Sequence, residues 1–393
     1  MAFIEQRLWR KGCSCSRLPM PGSKVHSLEP LRIHELDGLR GFLALYVAAY
    51  HLANPLQALA AELDHWLPAF RQGWYAVDVF FIMSGFVMMH VYAQFFVKGW
   101  PPQAVKKFYI ARVARLYPVH IVALIAMVVV VVPASWNNPS LFNSEGRFSI
   151  DAALAALFML HGPWIDHRTW NYPSWSISAE WHAYLLFPFL AGMISRSRGP
   201  AILFSFAACT IIPFALYIGD IVAERYPTNG PYLLVRAIPL FIVGMAIYRL
   251  RSINPTLFAG HGCMAMTLGG TLLALSFPDW APFAVLMAPF VVMSALGNRL
   301  FGSVLRNRSL LFLGAISYSL YMTHALVEIF GIGAVLRTAK ILGGIDLAAD
   351  PFACFFVWCT ALIISLLVGT LTWQWIEVPG RKFVLRLLTP LSR

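Results

Sequence analysis

Charge is scarce in this sequence. Of its 393 residues only 12% are Asp, Glu, Lys or Arg, about half the share of an ordinary soluble domain. That is too little to cover the water-facing surface of a chain this long. Cysteine is also sparse, at six, which excludes a disulfide-dense scaffold. Cys13 and Cys15 lack the two further ligands that a zinc site needs nearby. No Gly-x-Ser-x-Gly, Walker A or His-Glu-x-x-His segment occurs. No internal repeat is visible, which weighs against a transporter built from repeated halves.

What is abundant is apolar. Residues AVILMFWYC make up 59%, with 14% aromatics, 25 prolines and 27 glycines. This excludes long-range disorder, collagen and coiled coil. Apolar spans run at about 37–54, 74–97, 117–133, 175–195, 200–218, 232–249, 262–277, 281–297, 310–335 and 353–376. Most approach the ~20 residues that a helix needs to cross the hydrocarbon core. The expectation is an all-α, polytopic integral membrane protein of about ten transmembrane helices. Residues 151–162 are apolar but too short to span, and read as an interfacial or re-entrant piece.

The net charge of +12 is a topology signal. With ten spans, 23 of the 30 Lys and Arg fall on the side of both termini. Six (Arg71, Arg147, Arg168, Arg225, Arg337 and Lys340) fall opposite, and Arg236 lies within a span. The positive-inside rule then puts both termini in the cytoplasm, and nucleic acid is not an expected partner. Residues 1–31 read as a flexible basic cytoplasmic arm with no secretory signal, 32–383 as the membrane domain, and 384–393 as a short cytoplasmic tail.

Ionisable groups inside a membrane are costly, so each is a functional candidate. In the first span His51 follows Arg40 by eleven residues, roughly 16 Å along a helix axis. Asp78 and Ser84 on the second span, Trp175, Ser176 and Glu180 on the fourth, and Ser317, Tyr318, Tyr321 and His324 on the ninth reach a similar depth. His51, Asp78, Glu180 and His324 are therefore expected to line one outer cavity, with an imidazole suited to taking a proton from a hydroxyl. Arg112 and Arg115, three apart on one helix face, would join Arg40 in a basic mouth for phosphate. A phosphorylated donor with a long thin arm could anchor there and reach toward His51. The structural alternatives stay open: Asp78 and Glu180 as interhelical glue, Arg236 as a partner that neutralises an acid, and Glu328 as a solvated end-of-span group.

Several stretches together resemble the acyltransferase-3 family of membrane O-acyltransferases. They are Leu36-Asp-Gly-Leu-Arg-Gly41 leading to His51, Val77-Asp-Val-Phe-Phe-Ile-Met-Ser-Gly85, and Arg112-x-x-Arg115-Leu-Tyr-Pro118. Pro173-Ser-Trp-Ser-Ile-Ser-Ala-Glu-Trp181, Ser317-Tyr-Ser-Leu-Tyr-Met-Thr-His324 and Trp375-Ile-Glu377-Val-Pro379 complete the set. The similarity covers roughly residues 32–383 in the family's order. Ala111 and Val378 depart from it, standing where the family often has arginine.

The resemblance implies an enzyme that moves an acyl group, most often acetyl from acetyl-CoA, onto a hydroxyl of a carbohydrate or glycan. It implies Arg40 and His51 as an R-x10-H pair needed for activity, and Arg112 and Arg115 at the donor. His51 is then the expected base or acyl carrier, with Asp78, Glu180 and His324 as further catalytic candidates. Ser84, Trp175, Ser176, Tyr318 and Tyr321 are candidates for substrate binding. Acyl-CoA is the expected donor, no metal is called for, and the setting is a bacterial inner (cytoplasmic) membrane. His161 and Asp166 have the spacing of a soluble-type acyltransferase dyad, but Gly162 and Pro163 directly follow the histidine and the segment lies outside in this topology. The competing function is a proton-coupled lipid or glycan exporter that uses His51, Asp78 and Glu180 as a relay.

Overall fold

An apolar run in lipid must hydrogen-bond its backbone within itself, so helices are the expected outcome. The computed structural model describes residues 32–137, 146–219 and 227–389, and the expected arm over 1–31 lies outside them. Among the described residues every regular element is helical. In chain order these are α1 (His34–Ala53), α2 (Gln57–Trp66), α3 (Trp74–Phe96), α4 (Pro102–Asn137), α5 (Ile150–Leu157), α6 (His161–Trp164), α7 (Trp175–Arg196) and α8 (Gly199–Ile218). There follow α9 (Tyr232–Ile253), α10 (His261–Ser276), α11 (Ala281–Gly297), α12 (Arg299–Leu305), α13 (Arg308–Leu326), α14 (Gly333–Gly343), α15 (Pro351–Thr372) and α16 (Val378–Leu388). Short π-helical segments follow α13 at Val327–Ile332 and α15 at Trp373–Glu377.

By length and composition, seven described segments are long and apolar enough to cross a membrane: those containing α3, α4, α7, α8, α9, α11 and α15. Three of the ten expected spans fall short of that measure, for two reasons. α10 has 16 residues, about 24 Å of helix, which is less than the hydrocarbon thickness. α1 and α13 are of adequate length, but α1 carries Glu35, Asp37 and Arg40, and α13 carries Arg308 with a run of Ser, Tyr, Thr and His. The segment 151–162 breaks into the eight-residue α5, capped by the Ser149 hydroxyl accepting from the Ala152 amide, and the single turn α6. Neither can span, in keeping with an interfacial piece.

The helices poor in polar groups turn their large side chains outward. Phe204 on α8 and Phe352 and Ile363 on α15 are all exposed, as expected where lipid replaces water. The polar helices are held inside by close backbone approach, which small residues permit. Between α1 and α13 a Cβ at Gly41 would collide with the backbone of Leu310 and Gly314, and one at Gly314 with the Asp37 carbonyl, while one at Gly38 would strike the Leu305 carbonyl at the end of α12. α3 and α9 meet the same way, at Gly85 against Phe241 and Gly244 against Ile82. These two pairs set the positions of the polar side chains.

Candidate functional site

A cavity of about 230 Å³ opens between α1, α3, α4, α7 and α13. Five arginines line it (Arg32, Arg40, Arg112, Arg115 and Arg381) against two carboxylates, Asp37 and Glu180. Four of them are held by named partners. Arg40 donates to Asp37 at 2.7 Å and to the Gly314 carbonyl at 3.2 Å, while Arg32 pairs with the same aspartate. Arg112 donates to the Tyr92 hydroxyl at 2.8 Å, and its guanidinium carbon lies 5.2, 5.8 and 5.6 Å from the rings of Tyr92, Phe108 and Tyr184. Such stacking holds a buried guanidinium in place. Arg115 pairs with Glu377, whose other oxygen accepts from Ser319 at 2.6 Å, and its guanidinium lies 4.9 Å from the Tyr318 ring. Fixed cations around a narrow space are suited to a phosphate-bearing molecule.

The cavity's far wall is hydroxyl-rich. Ser84 donates to Glu180 at 2.5 Å, and Tyr184 donates to the same oxygen. Tyr321 donates to the Pro173 carbonyl at 3.0 Å and accepts from Ser176 at 2.7 Å. Tyr318 donates to the Leu116 carbonyl at 2.6 Å. Phe80 and Tyr321, their ring centroids 6.2 Å apart, close this end.

Behind Tyr321 lie the two histidines. The His324 ring is 5.8 Å from Tyr321, and its Nε2 is 2.9 Å from His51 Nδ1, with the two imidazoles nearly coplanar at 2°. The bond pattern decides the tautomers. His324 Nδ1 faces the Leu320 carbonyl at 3.3 Å, and a carbonyl only accepts, so His324 carries its proton on Nδ1. Its Nε2 then offers a lone pair, which His51 meets with Nδ1–H. His51 Nε2 is left with a lone pair of its own, in the form a proton acceptor requires.

The four residues expected to line one cavity occupy three places. Glu180 is in the arginine cavity. His51 and His324 lie beyond Tyr321. Asp78 is in neither: it bonds to Arg236 at 2.8 Å, both side chains fully buried, with the Pro227 and Trp74 carbonyls taking further guanidinium protons. The expectation rested on depth along each helix and left out direction around it. Ser84 follows Asp78 by six residues, which at 3.6 residues per turn points the two about 120° apart. Trp175 is likewise outside the cavity, 5.1 Å under Arg236. Ser84, Ser176, Tyr318 and Tyr321 do line it, with Arg40, Arg112 and Arg115. Glu328, expected to be solvated, is half-buried and accepts from Tyr172. His161 finds Ser174 at 2.8 Å, whereas Asp166 is exposed.

Sequence reasoning missed Arg32, His90, Tyr184 and Arg381 in the lining, and Glu377 as the anchor of Arg115. In the sequence Arg381 is one of the 23 basic residues on the side of both termini. Its place four residues after Glu377, hence on the same helical face, was the available signal. Among the described residues no group of three or more His, Cys, Asp or Glu is arranged to hold a metal.

Residues 33–374 match the family described as an acyltransferase domain, Acyl_transf_3. Among curated relatives, the acyltransferase MdmB of Streptomyces mycarofaciens is 32% identical over 169 residues, 40% of this chain and 39% of that protein. The O-acetyltransferase OatA of Staphylococcus aureus is 23% identical over 396 aligned residues, 90% of this chain and 58% of that protein. The matches thus cover less than two thirds of the length of these relatives. No solved structure matches.

Proposed function

The chain belongs to the acyltransferase-3 family, and from that premise we propose that it is a membrane O-acyltransferase that carries an acyl group, acetyl in the simplest case, from acyl-CoA to a carbohydrate hydroxyl. The observation that carries the proposal is the oriented imidazole pair behind the arginine cavity: a lone pair on His51 Nε2, set by the Leu320–His324–His51 chain of hydrogen bonds. In this mechanism the arginines hold the donor's phosphates, and the Phe80 and Tyr321 rings swing aside to let its thin arm reach His51. His51 Nε2 takes the proton of the acceptor hydroxyl. The oxygen attacks the thioester carbonyl, a C–O bond forms, the C–S bond breaks, and the proton goes to the departing CoA sulfur. His324 holds the ring and shares the positive charge that builds on it.

The arginine end is proposed to face the cytoplasm, where acyl-CoA is made, and the His51 end the opposite compartment. Both termini would then be cytoplasmic. About ten crossings follow if α1, α10 and α13 span with the seven more apolar segments, in a bacterial inner membrane. Acetyl is the group in the name of the Staphylococcus relative. The test is CoA release from acetyl-CoA by membranes bearing His51→Ala. A loss of about a hundredfold or more is expected for removal of a general base, and wild-type turnover in a folded variant would end the assignment.

A further inference from the structure

Around His51, away from the arginine cavity, lies a cluster that the proposed chemistry has not used. Residues 146–149, just before α5, and the loop between α6 and α7 are locked together there. Gly146, at φ +69°, sits so close to His167 that a Cβ would be 2.7 Å from its Nε2. The Trp170 indole donates to the Ser149 carbonyl at 2.9 Å. These loops bring two arginines onto one ring: the guanidinium carbons of Arg147 and Arg168 each lie 5.7 Å from the Tyr172 centroid. That ring stands edge-on to His51 at 5.2 Å, and its hydroxyl donates to Glu328. The cations can be no farther from the imidazole than those two contacts laid end to end, a span that a disaccharide covers.

The state of Arg147 points to a ligand. Its Nε and Nη2 are buried and have no hydrogen-bond partner among the described residues; its guanidinium lies over the faces of Phe148, at 4.9 Å, and Tyr172, and the Glu328 carboxylate acts on it only through space. Burying a donor edge unpaired is costly, and the cost is relieved when an oxyanion takes the fork. Arg168 is exposed, and neither arginine makes an ion pair among the described residues. By contrast Arg71, assigned to the same side, is satisfied by Asp64 at 2.7 Å and Asn54 at 2.6 Å. Only six basic residues fall on that side in the topology above, and two of them converge beside the proposed base.

We infer that Arg147 and Arg168 form an oxyanion subsite next to His51, so that the acceptor carries a carboxylate or phosphate close to the hydroxyl that is acylated. This rests on His51 being the acceptor end of the proposed reaction. The subsite orients the acceptor by its charge, with the Tyr172 face against the sugar and the hydroxyl toward the imidazole.

The experiment uses the full chain purified in detergent and three probes: methyl glucoside, methyl glucuronide and glucose 6-phosphate. Binding is measured by calorimetry. At least one charged probe should bind about tenfold or more tighter than the neutral one, and comparing the two charged probes tells carboxylate from phosphate. Arg168→Gln alone, at an exposed position, should weaken that preference. Arg147→Gln with Arg168→Gln should abolish it, with elution as a monodisperse species showing that the variant is folded. Equal affinity for all three probes, no measurable binding of any, or a preference unchanged in the double variant would overturn the inference. CoA release from acetyl-CoA is scored on the same preparation. Its absence would sink the acyl-transfer proposal and leave the binding result standing.

Discussion

Asp78 and Arg236 are both fully buried and make an ion pair at 2.8 Å, with the Trp175 ring 5.1 Å beneath the guanidinium. Each ion answers the desolvation of the other, so removing one leaves an uncompensated charge in the core. That typically costs about 3–5 kcal/mol. Asp78→Asn should therefore lower the thermal midpoint sharply while acyl transfer per folded molecule stays close to wild type. Turnover reduced about a hundredfold with the midpoint unchanged would put Asp78 back in the chemistry. His51 is the opposite case: it is half-buried, with one ring nitrogen engaged by His324 and the other left with a lone pair, and in the proposed mechanism its loss removes the base while costing the fold little.

At the scale of the helix pair, the 2.9 Å contact between His51 and His324 depends on residues well down the same two helices. Gly41 and Gly314 let the α1 and α13 backbones touch, and Arg40 bonds directly to the Gly314 carbonyl. A Cβ at 314 must push the Asp37 backbone away, which separates the helices where Arg40 sits and pulls on the imidazole pair above. Displacement of reacting groups by about 1 Å can cost about a hundredfold in rate. Gly314→Ala should lose most of its turnover although the residue is far from His51 along the helix, and near-normal turnover would mean that the pair is not rigidly coupled. The π-helical segment at Trp373–Glu377 has a comparable role, ending with Glu377 on Arg115 and Ser319.

For the whole molecule, the arginine cavity and the His51 loops lie at opposite ends of α1, so the proposed reaction needs them to open to opposite compartments. In a cysteine-free background, Trp66→Cys and Ile341→Cys, both at exposed positions, should react with an impermeant maleimide added outside intact cells. Lys98→Cys and Ser303→Cys, also exposed, should react only after the membrane is opened. Labelling of all four from one side would remove the two-sided mechanism.

The amino-acid sequence alone determined that this is a helical membrane chain, where its long apolar helices run, and which ordered motifs place it among acyltransferases. Hydropathy, helix length and motif spacing are local properties, so one dimension suffices to read them. It also marked Arg40, Arg112, Arg115, Ser84, Ser176, Tyr318, Tyr321 and Glu180 as polar groups with no place in lipid, and the fold gathers these around one cavity. Only the tertiary structure decided which polar faces meet: Asp78 with Arg236, Arg115 with Glu377, the His51–His324 pair apart from Asp78 and Glu180, and Arg147 with Arg168 over Tyr172. Those pairings depend on the rotation of each helix about its axis and on glycine contacts between distant segments, and neither is written in the distance between two residues along the chain.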